Sequence, residues 1–106
     1  MSANPGGSRG QQASGALVNY ASSPTDLDPP TDVYAETYSG GKWAYGWVNS
    51  EPTQTQYSLN GGTTVEGTFA QGVAYWASGS AVYQSGFAVR HINQTKQSAW
   101  ATLVEL

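Results

Sequence analysis

Residues 42–48, KWAYGWV, alternate aromatic side chains with small or aliphatic ones. In a strand, successive side chains point to opposite faces of the sheet, so Trp43, Tyr45 and Trp47 lie together on one face. The opposite face is nearly bare at its centre, where Gly46 lies. The pattern therefore predicts a strand with one aromatic face that something covers, because monomers rarely expose an apolar patch of that size.

Short runs of the same two-residue alternation continue along the chain, separated by Gly, Ser, Asn and Pro. No long window shows the three- and four-residue apolar spacing of a helix. Many short strands with Gly-rich turns are typical of an all-β fold, and we predict a small antiparallel β-sandwich or flattened barrel of about seven or eight short strands. The predicted strands cover residues 32–38, 42–48, 53–59, 63–69, 73–77, 81–84, 87–92 and 98–106.

The dipeptide Asn60-Gly61 stands between two of these runs. Asn-Gly is a strong signal for a two-residue turn in which both residues have positive φ, so we predict a tight hairpin over residues 53–69. Alternation also assigns a set of apolar side chains to the sheet that faces the aromatic residues of 42–48. The set comprises Val65, Phe69, Phe87, Val89 and Trp100.

With 106 residues, the chain has the length of one domain. Residues 1–15 are rich in Gly, Ser, Gln and Asn, and we predict a flexible N-terminal arm because they cannot bury enough apolar area to offset the entropy of ordering. Residues 16–106 form the predicted single all-β domain. It begins with a short strand at 16–20 and a Pro-rich, acidic loop at 22–32.

The chain is poor in charge and lacks cysteine. Charged residues make up 10% of the sequence, against about 25% in typical soluble domains. Four Lys and Arg residues and a net charge of −3 cannot neutralise a run of phosphates, so we expect no nucleic-acid partner. The lack of Cys excludes disulfides and thiolate-bound zinc, so the fold must be held by packing or by association.

No segment of the chain has the apolar length of a signal peptide or of a membrane span. Residues 1–15 in particular are too polar to serve as a signal peptide. We therefore expect the chain as given to be made as a soluble protein. It would reach a virion or an extracellular surface after lysis, by a non-secretory route or after loss of a leader.

The sequence contains one histidine, His91, and no nucleophile motif. Alternation places His91 on the face of Phe87 and Val89, so we interpret it as a hydrogen-bonded core or edge residue and not as a catalytic base. There is no P-loop and no dinucleotide-binding glycine motif. We therefore predict a non-enzymatic protein without a cofactor.

Four acids are grouped in and after the Pro-rich loop. We interpret them as a solvated acidic segment, since an exposed loop offers no burial that would raise the pKa of one carboxyl for acid–base chemistry. Weak calcium binding by Asp26, Asp28 and Asp32 is the alternative. Hard oxygen ligands cluster there, although the spacing and the glycine of an EF-hand loop are missing.

The aromatic face of residues 42–48 has three possible covers, namely the core, another subunit or a ligand. Each ring buries about 150–250 Å², so the opposite sheet is the simplest cover in a small domain. The opposite side of this strand, which carries Ala44, Gly46 and Val48, is called the small face. A neighbouring arm or chain lying flat on it would explain a glycine inside a strand. Two aromatic neighbours at 75 and 76 point to opposite faces, and the outward one is the better candidate for contact with a partner. The candidate ligand-binding or interface residues are Trp43, Tyr45, Gly46, Trp47, Tyr75 and Trp76.

Three functional classes fit these features. The first is a structural, self-assembling β-domain, such as a virion surface or capsid-decorating subunit, in which strand edges with few charges pair with another copy. The second is a carbohydrate-binding module or small lectin, in which exposed rings stack on sugars and loop amides bind hydroxyls. The third is an envelope-active protein of bacteriocin type. The amides that would serve a lectin are Asn49, Asn60, Gln71 and Asn93.

The segment GGKWAYG, residues 40–46, resembles the opening of the lactococcin 972 type of bacteriocins. That family consists of small, cysteine-poor β-sandwich proteins. The resemblance therefore implies the same fold class and an activity against a cell envelope. It covers this segment alone and assigns no site residue.

Overall fold

A computed structural model describes residues 26–104 of the chain. They form two antiparallel sheets and one short 3-10 turn, Ser39–Gly41, which confirms the predicted all-β fold. The predicted N-terminal arm, residues 1–15, and the predicted strand 16–20 lie outside the described residues. The strands are β1 (Thr31–Tyr38), β2 (Lys42–Val48), β3 (Gln54–Ser58), β4 (Gly67–Phe69), β5 (Tyr75–Ser80), β6 (Ala88–Ile92) and β7 (Ala101–Thr102).

The two sheets face each other. One has three strands in the order β1-β2-β5, and the other has four strands in the order β4-β3-β6-β7. On one side of the sandwich β1 lies beside β7, and the Val104 N–H donates to the Val33 carbonyl at 3.0 Å. On the other side β5 lies over β3, where the ring centroids of Trp76 and Tyr57 are 4.6 Å apart.

The aromatic face of β2 is the centre of the core. Tyr45 and Trp47 are 0% and 4% exposed beneath the four-stranded sheet. The ring of Phe87 lies among them, with its centroid 4.6 Å from that of Tyr45 and 6.0 Å from those of Trp47 and Trp76. The Tyr45 hydroxyl accepts a hydrogen bond from the Gln84 N–H at 2.8 Å, so its buried oxygen is satisfied. The opposite sheet therefore covers this face, which is the simplest of the three covers considered for it.

The observed strands are shorter than the predicted ones in three places. The predicted strand at 63–69 is reduced to β4, and the described part of the predicted strand at 98–106, residues 98–104, is reduced to β7. Residues 81–84 form a loop in which the ring of Tyr83 packs 4.8 Å from that of Trp43. A strand requires a hydrogen-bonding neighbour along its length in addition to alternation. Within residues 26–104, no helix is long and apolar enough to cross a membrane.

The predicted hairpin joins β3 to β4, but its turn differs from the two-residue turn expected at Asn60-Gly61. Positive φ occurs at Gly61 (75°) and Gly62 (104°), so the prediction of positive φ at Asn60 was wrong. Asn60 instead closes the loop with its side chain. Its Oδ1 accepts from the Thr64 N–H at 3.0 Å, and its Nδ2 donates to Thr64 Oγ1 at 3.0 Å. These bonds hold a longer connection in place.

Two side chains predicted for the core lie outside it. Val65 precedes β4, so strand alternation does not apply to it, and it is 43% exposed. Trp100 precedes β7 and lies on the outer side of the four-stranded sheet, with the guanidinium carbon of Arg90 4.5 Å from its ring centroid. The Trp100 ring also covers Gly62, where a Cβ would overlap it. The other members of the predicted set lie in the core.

Candidate functional site

Four of the residues predicted as ligand or interface candidates belong to the interior of the sandwich. Tyr45 and Trp47 are buried, and Trp76 stacks on Tyr45 with ring centroids 5.6 Å apart. Trp43 is half-buried against Tyr83. These rings stabilise the fold by packing against other side chains, and Tyr45 and Trp47 offer almost no surface to a partner while the chain is folded.

Tyr75 and Trp76 point to opposite sides of β5, as their adjacency predicts. Trp76 packs in the core, whereas Tyr75 is 44% exposed on the outer face of the three-stranded sheet. Tyr75 is therefore the outward-pointing member of the pair. It is the candidate for contact with a partner.

Tyr75 belongs to an outer surface that the sequence patterns did not single out. The strand registers place Tyr34 of β1 and Tyr75 of β5 on either side of Gly46. We call this surface the tyrosine face, and it consists of Tyr34, Glu36, Tyr38 and Tyr75 around Gly46. The signal was present in DVYAETY, where these side chains alternate as the rings of KWAYGWV do. Alternation alone does not say which face of a strand is turned outward.

The ring of Tyr34 lies flat on Gly46. A Cβ built on Gly46 would overlap three atoms of that ring at nearly equal distances, so the ring approaches the glycine with its face and not with its edge. Gly46 is buried as a result. The cover expected on this small face from an arm or another chain is thus supplied by a side chain of the neighbouring strand. Tyr34 itself is 44% exposed, because the other face of its ring is turned to solvent.

Hydrogen bonds hold the remaining hydroxyl groups of the tyrosine face. The Tyr75 hydroxyl donates to Glu36 Oε2 at 2.9 Å, and this bond to a carboxylate is the main cause of a raised pKa of Tyr75. The Tyr38 hydroxyl accepts from the Gly79 N–H at 3.0 Å. Tyr75 therefore stays protonated at neutral pH, and its oxygen and the Glu36 carboxylate present acceptors to solvent.

The second candidate feature is the outer edge of β5. Tyr45 and Trp76 are paired across β2 and β5, and the Trp47 N–H donates to the Ala74 carbonyl at 3.1 Å. In an antiparallel pair the backbone groups of alternate residues face the partner strand. The register therefore directs the backbone groups of Tyr75 and Ala77 away from β2. We call this stretch of β5, residues 75–77, the open edge.

A β-bulge follows the open edge. The register between β2 and β5 shifts at Ser78 and Gly79, and Gly79 has a φ of 74°. The Ser78 hydroxyl donates to the Trp43 carbonyl at 2.7 Å, which fixes the bulge against β2. Bulges twist an edge strand away from regular pairing, so the bulge confines the open edge to the first half of β5.

His91 lies inside the sandwich, as predicted, with 0% exposure. Its Nε2 accepts from the Ser50 N–H at 3.1 Å, and its Nδ1 lies 3.0 Å from Thr53 Oγ1. The Thr53 hydroxyl donates to the Gln54 carbonyl at 3.1 Å, so its oxygen can accept a hydrogen bond from the N–H of the ring. A neutral imidazole with its proton on Nδ1 fits both bonds. Such a fully bonded ring holds a loop against the sheet.

Burial lowers the pKa of His91, against smaller opposing effects of the Gln54 backbone and the Glu51 charge. The unfolded chain binds a proton at this side chain near pH 6.5, whereas the folded chain binds it at a lower pH. We therefore expect the free energy of unfolding to fall as the pH is lowered from 7.5 to 5.5, because the unfolded chain takes up the proton first. Most carboxyl groups titrate below this window.

Urea unfolding at a series of pH values measures this effect. The variant His91→Asn lacks the titrating ring, and its free energy of unfolding should change little over the same window. An equal decline in His91→Asn and in the natural sequence would show that another group titrates, and would contradict the neutral, buried state of His91.

The acids of the Pro-rich loop take part in the local backbone structure of the domain. The Asp28 N–H donates to Glu51 Oε2 at 2.8 Å. Asp32 has a φ of 54° at a bulge in β1, a conformation that Asp tolerates better than most side chains. In the described part of the chain, no three His, Cys, Asp or Glu side chains come together as a metal site would require. The calcium alternative at Asp26, Asp28 and Asp32 therefore gains no support from the structure.

Three of the loop amides considered for a lectin already make hydrogen bonds within the protein. The side chain of Asn49 accepts from Trp47 Nε1 at 2.9 Å, and Asn60 closes the β3–β4 connection. The Oδ1 of Asn93 accepts from the Lys96 N–H at 2.9 Å. These amides order loops, so a sugar site built on them would have to break existing hydrogen bonds.

A groove of about 290 Å³ lies on the outer side of the four-stranded sheet. Its wall includes Gln56, Arg90 and Lys96, and Arg90 donates from Nε and Nη2 to Gln56 Oε1 at 3.1 and 2.9 Å. No carboxylate, histidine or hydroxyl side chain is found among the described residues that line it. The groove thus offers no acid–base or nucleophilic pair.

No protein-family model, curated protein or solved structure matches the chain. The resemblance of residues 40–46 to bacteriocins is therefore not accompanied by a family match. In the structure that segment is a 3-10 turn followed by a core strand. The function is accordingly inferred from two local features, the open edge of β5 and the tyrosine face.

Proposed function

We propose that the protein is a non-catalytic structural subunit that assembles with copies of itself through the open edge, for example on a virion surface. One observation carries the proposal. Residues 67–89, which include β4 and β5, contain no Asp, Glu, Lys or Arg. An exposed sheet edge without charge lacks the usual protection against pairing with another strand.

The other edge of the same sheet differs in this respect. β1 carries Asp32 and Glu36, and the Val104 N–H already donates to the Val33 carbonyl beside it. Charged side chains and a covering segment are two ways in which natural proteins protect an edge. Within residues 26–104, the open edge of β5 has neither, and its bulge protects the second half of the strand alone.

Pairing of two open edges is compatible with a symmetric dimer. Two copies of β5 related by a twofold axis run antiparallel, and each contributes the same residues to the contact. The two three-stranded sheets would then form one continuous six-stranded sheet. Because this stretch of the chain carries no charge, pairing of two identical edges places no like charges directly opposite each other in the strand pair.

Apolar side chains next to β5 supply burial in addition to backbone hydrogen bonds. Val82 and Tyr83 follow the strand directly and are 63% and 47% exposed. Neighbouring exposed apolar side chains mark interaction surfaces more often than isolated ones do. Backbone pairing at residues 75–77 would set the register, and these two side chains would add contact area.

The variant Ala77→Lys tests the proposal. Ala77 is exposed and is the last residue of the open edge, so a lysine there introduces the charge that the edge lacks. We expect the natural sequence to form a dimer or a larger assembly and Ala77→Lys to be monomeric at the same concentration. Light scattering after size-exclusion chromatography measures both masses.

The matched control is Ala99→Lys, which makes the same change at an exposed residue outside the sheets. It should keep the mass of the natural sequence. Circular dichroism establishes that each variant is folded. If folded Ala77→Lys retained the assembly, pairing through the open edge would be refuted, and if Ala99→Lys also dissociated, the effect would be one of net charge.

A further inference from the structure

We propose that the tyrosine face is a binding site for a neutral saccharide, with the ring of Tyr34 as its stacking platform. The inference goes beyond assembly through the open edge and does not depend on it. The two features share Tyr75, which contributes its side chain to the tyrosine face and its backbone groups to the open edge. Pairing at the open edge uses backbone groups at the rim of the sheet, whereas the saccharide would contact side chains on its outer surface.

The orientation of the Tyr34 ring makes it a surface on which a sugar ring can stack. The ring covers Gly46 and the residue is 44% exposed, so the side of the ring turned away from the glycine is open to solvent. The face of an aromatic ring is electron-rich and attracts the C–H groups that line one side of a sugar ring. Any side chain at position 46 would lift Tyr34 off the sheet. The glycine inside this strand thus has a functional explanation in addition to a structural one.

The second aromatic ring lies at a suitable separation. Tyr34 and Tyr75 both pair with Gly46, one from each neighbouring strand. Two strand spacings separate their Cα atoms by about 10 Å. Between their Cα atoms lies β2, where Gly46 is covered by the Tyr34 ring and Ala44 is 0% exposed, so the surface that a ligand meets is formed by the tyrosine side chains themselves.

The charges of the site select the ligand. Glu36 lies two residues after Tyr34 on β1 and accepts from the Tyr75 hydroxyl at 2.9 Å. A carboxylate and a phenol oxygen accept hydrogen bonds from sugar hydroxyls, and the carboxylate repels anions. Lys42 is at the far end of β2, paired with Tyr38. A neutral, hydroxyl-rich ring therefore matches the site better than an acidic sugar, a phosphate or a nucleic acid.

Binding to short oligosaccharides tests the inference. The probes are neutral oligosaccharides of glucose, galactose, mannose or N-acetylglucosamine, with uronic-acid oligosaccharides of equal length for comparison. We expect at least one neutral probe to bind the full chain in saturation-transfer NMR and calorimetry, and to bind more tightly than the acidic probes. No binding by any neutral probe, or a preference for acidic ones, would overturn the proposal.

Three variants separate the roles of the side chains. Tyr34→Phe retains the ring and should retain binding, whereas Tyr34→Leu still covers Gly46 but removes the ring and should weaken binding about tenfold. Glu36→Gln removes the charge at an exposed position and should weaken binding several-fold. Unchanged affinity in Tyr34→Leu would refute the platform.

Assembly is measured in parallel on the same variants. If Tyr34→Leu lowered the mass found by light scattering, the tyrosine face would be a contact between copies of the chain, and the saccharide proposal would be wrong. If the mass is unchanged and saccharide affinity falls, the proposal is supported whether or not the open edge pairs. Failure of the two proposals is thus distinguishable.

Discussion

Replacement of Phe87 by alanine is expected to lower the free energy of unfolding by about 3–5 kcal/mol. Phe87 is 0% exposed, and its ring centroid lies between 4.6 and 6.2 Å from those of Tyr45, Trp47, Tyr57 and Trp76. Removal of the ring leaves a cavity where the two sheets meet. Small domains have a total stability of about 5–15 kcal/mol, so the variant should be close to unfolding at ambient temperature.

Urea unfolding followed by tryptophan fluorescence measures this loss. Phe87→Leu keeps part of the volume and should lose about 1–2 kcal/mol. The control is Val65→Ala, an apolar truncation at a residue that is 43% exposed, which should change stability by no more than about 0.5 kcal/mol. A loss in Phe87→Ala as small as that of the control would contradict the assignment of Phe87 to the centre of the core.

The substitution Gly46→Val is expected to lower the free energy of unfolding by about 1–3 kcal/mol. A Cβ at Gly46 would overlap the ring of Tyr34, so the ring must leave the sheet and lose its packing. Because the cover is a side chain of the same molecule, the expected effect is on folding. An interface on the small face would instead predict a change in association with stability preserved.

A double-mutant cycle with Tyr34 isolates this contact. In the background Tyr34→Ala the ring is already absent, and Gly46→Val should then lose little stability, since valine is favoured in strands. The two losses should therefore be non-additive by about 1 kcal/mol or more. Additive losses, or a folded Gly46→Val variant with altered mass and unaltered stability, would contradict the intramolecular cover.

The fold followed from the sequence because the aromatic and turn residues are strongly patterned. β2 begins and ends where alternation predicted, and the all-β class follows from many short runs with Gly-rich turns. The segments 63–66 and 81–84 alternate in the same way but are loops. Their difference from true strands is the lack of a paired neighbour, which is a property of the tertiary structure and has no local signature.

The candidate site was less predictable than the fold. Sequence alternation identified the aromatic rings of β2 and the opposite directions of Tyr75 and Trp76, but most of those rings are in the core. The exposed tyrosines of β1 were overlooked because their relation to Gly46 depends on the register between two strands. Registers are set by the packing of the whole sheet, and the pattern of one strand does not contain them.

Identification of the open edge likewise required both the sequence and the order of strands in the sheet. The uncharged stretch 67–89 is visible in the sequence, yet its meaning depends on β5 being at the rim of its sheet. A central strand without charge is ordinary, since both of its sides are paired. The topology therefore converts a compositional feature into a prediction about association.

The central claim is that the folded chain associates with itself through β5. Its most direct test is the absolute mass of the full chain, measured by light scattering after size-exclusion chromatography at a low and a high micromolar concentration. We predict a mass of at least twice the 11.2 kDa of one chain at the higher concentration. A mass of one chain at both concentrations would contradict the claim.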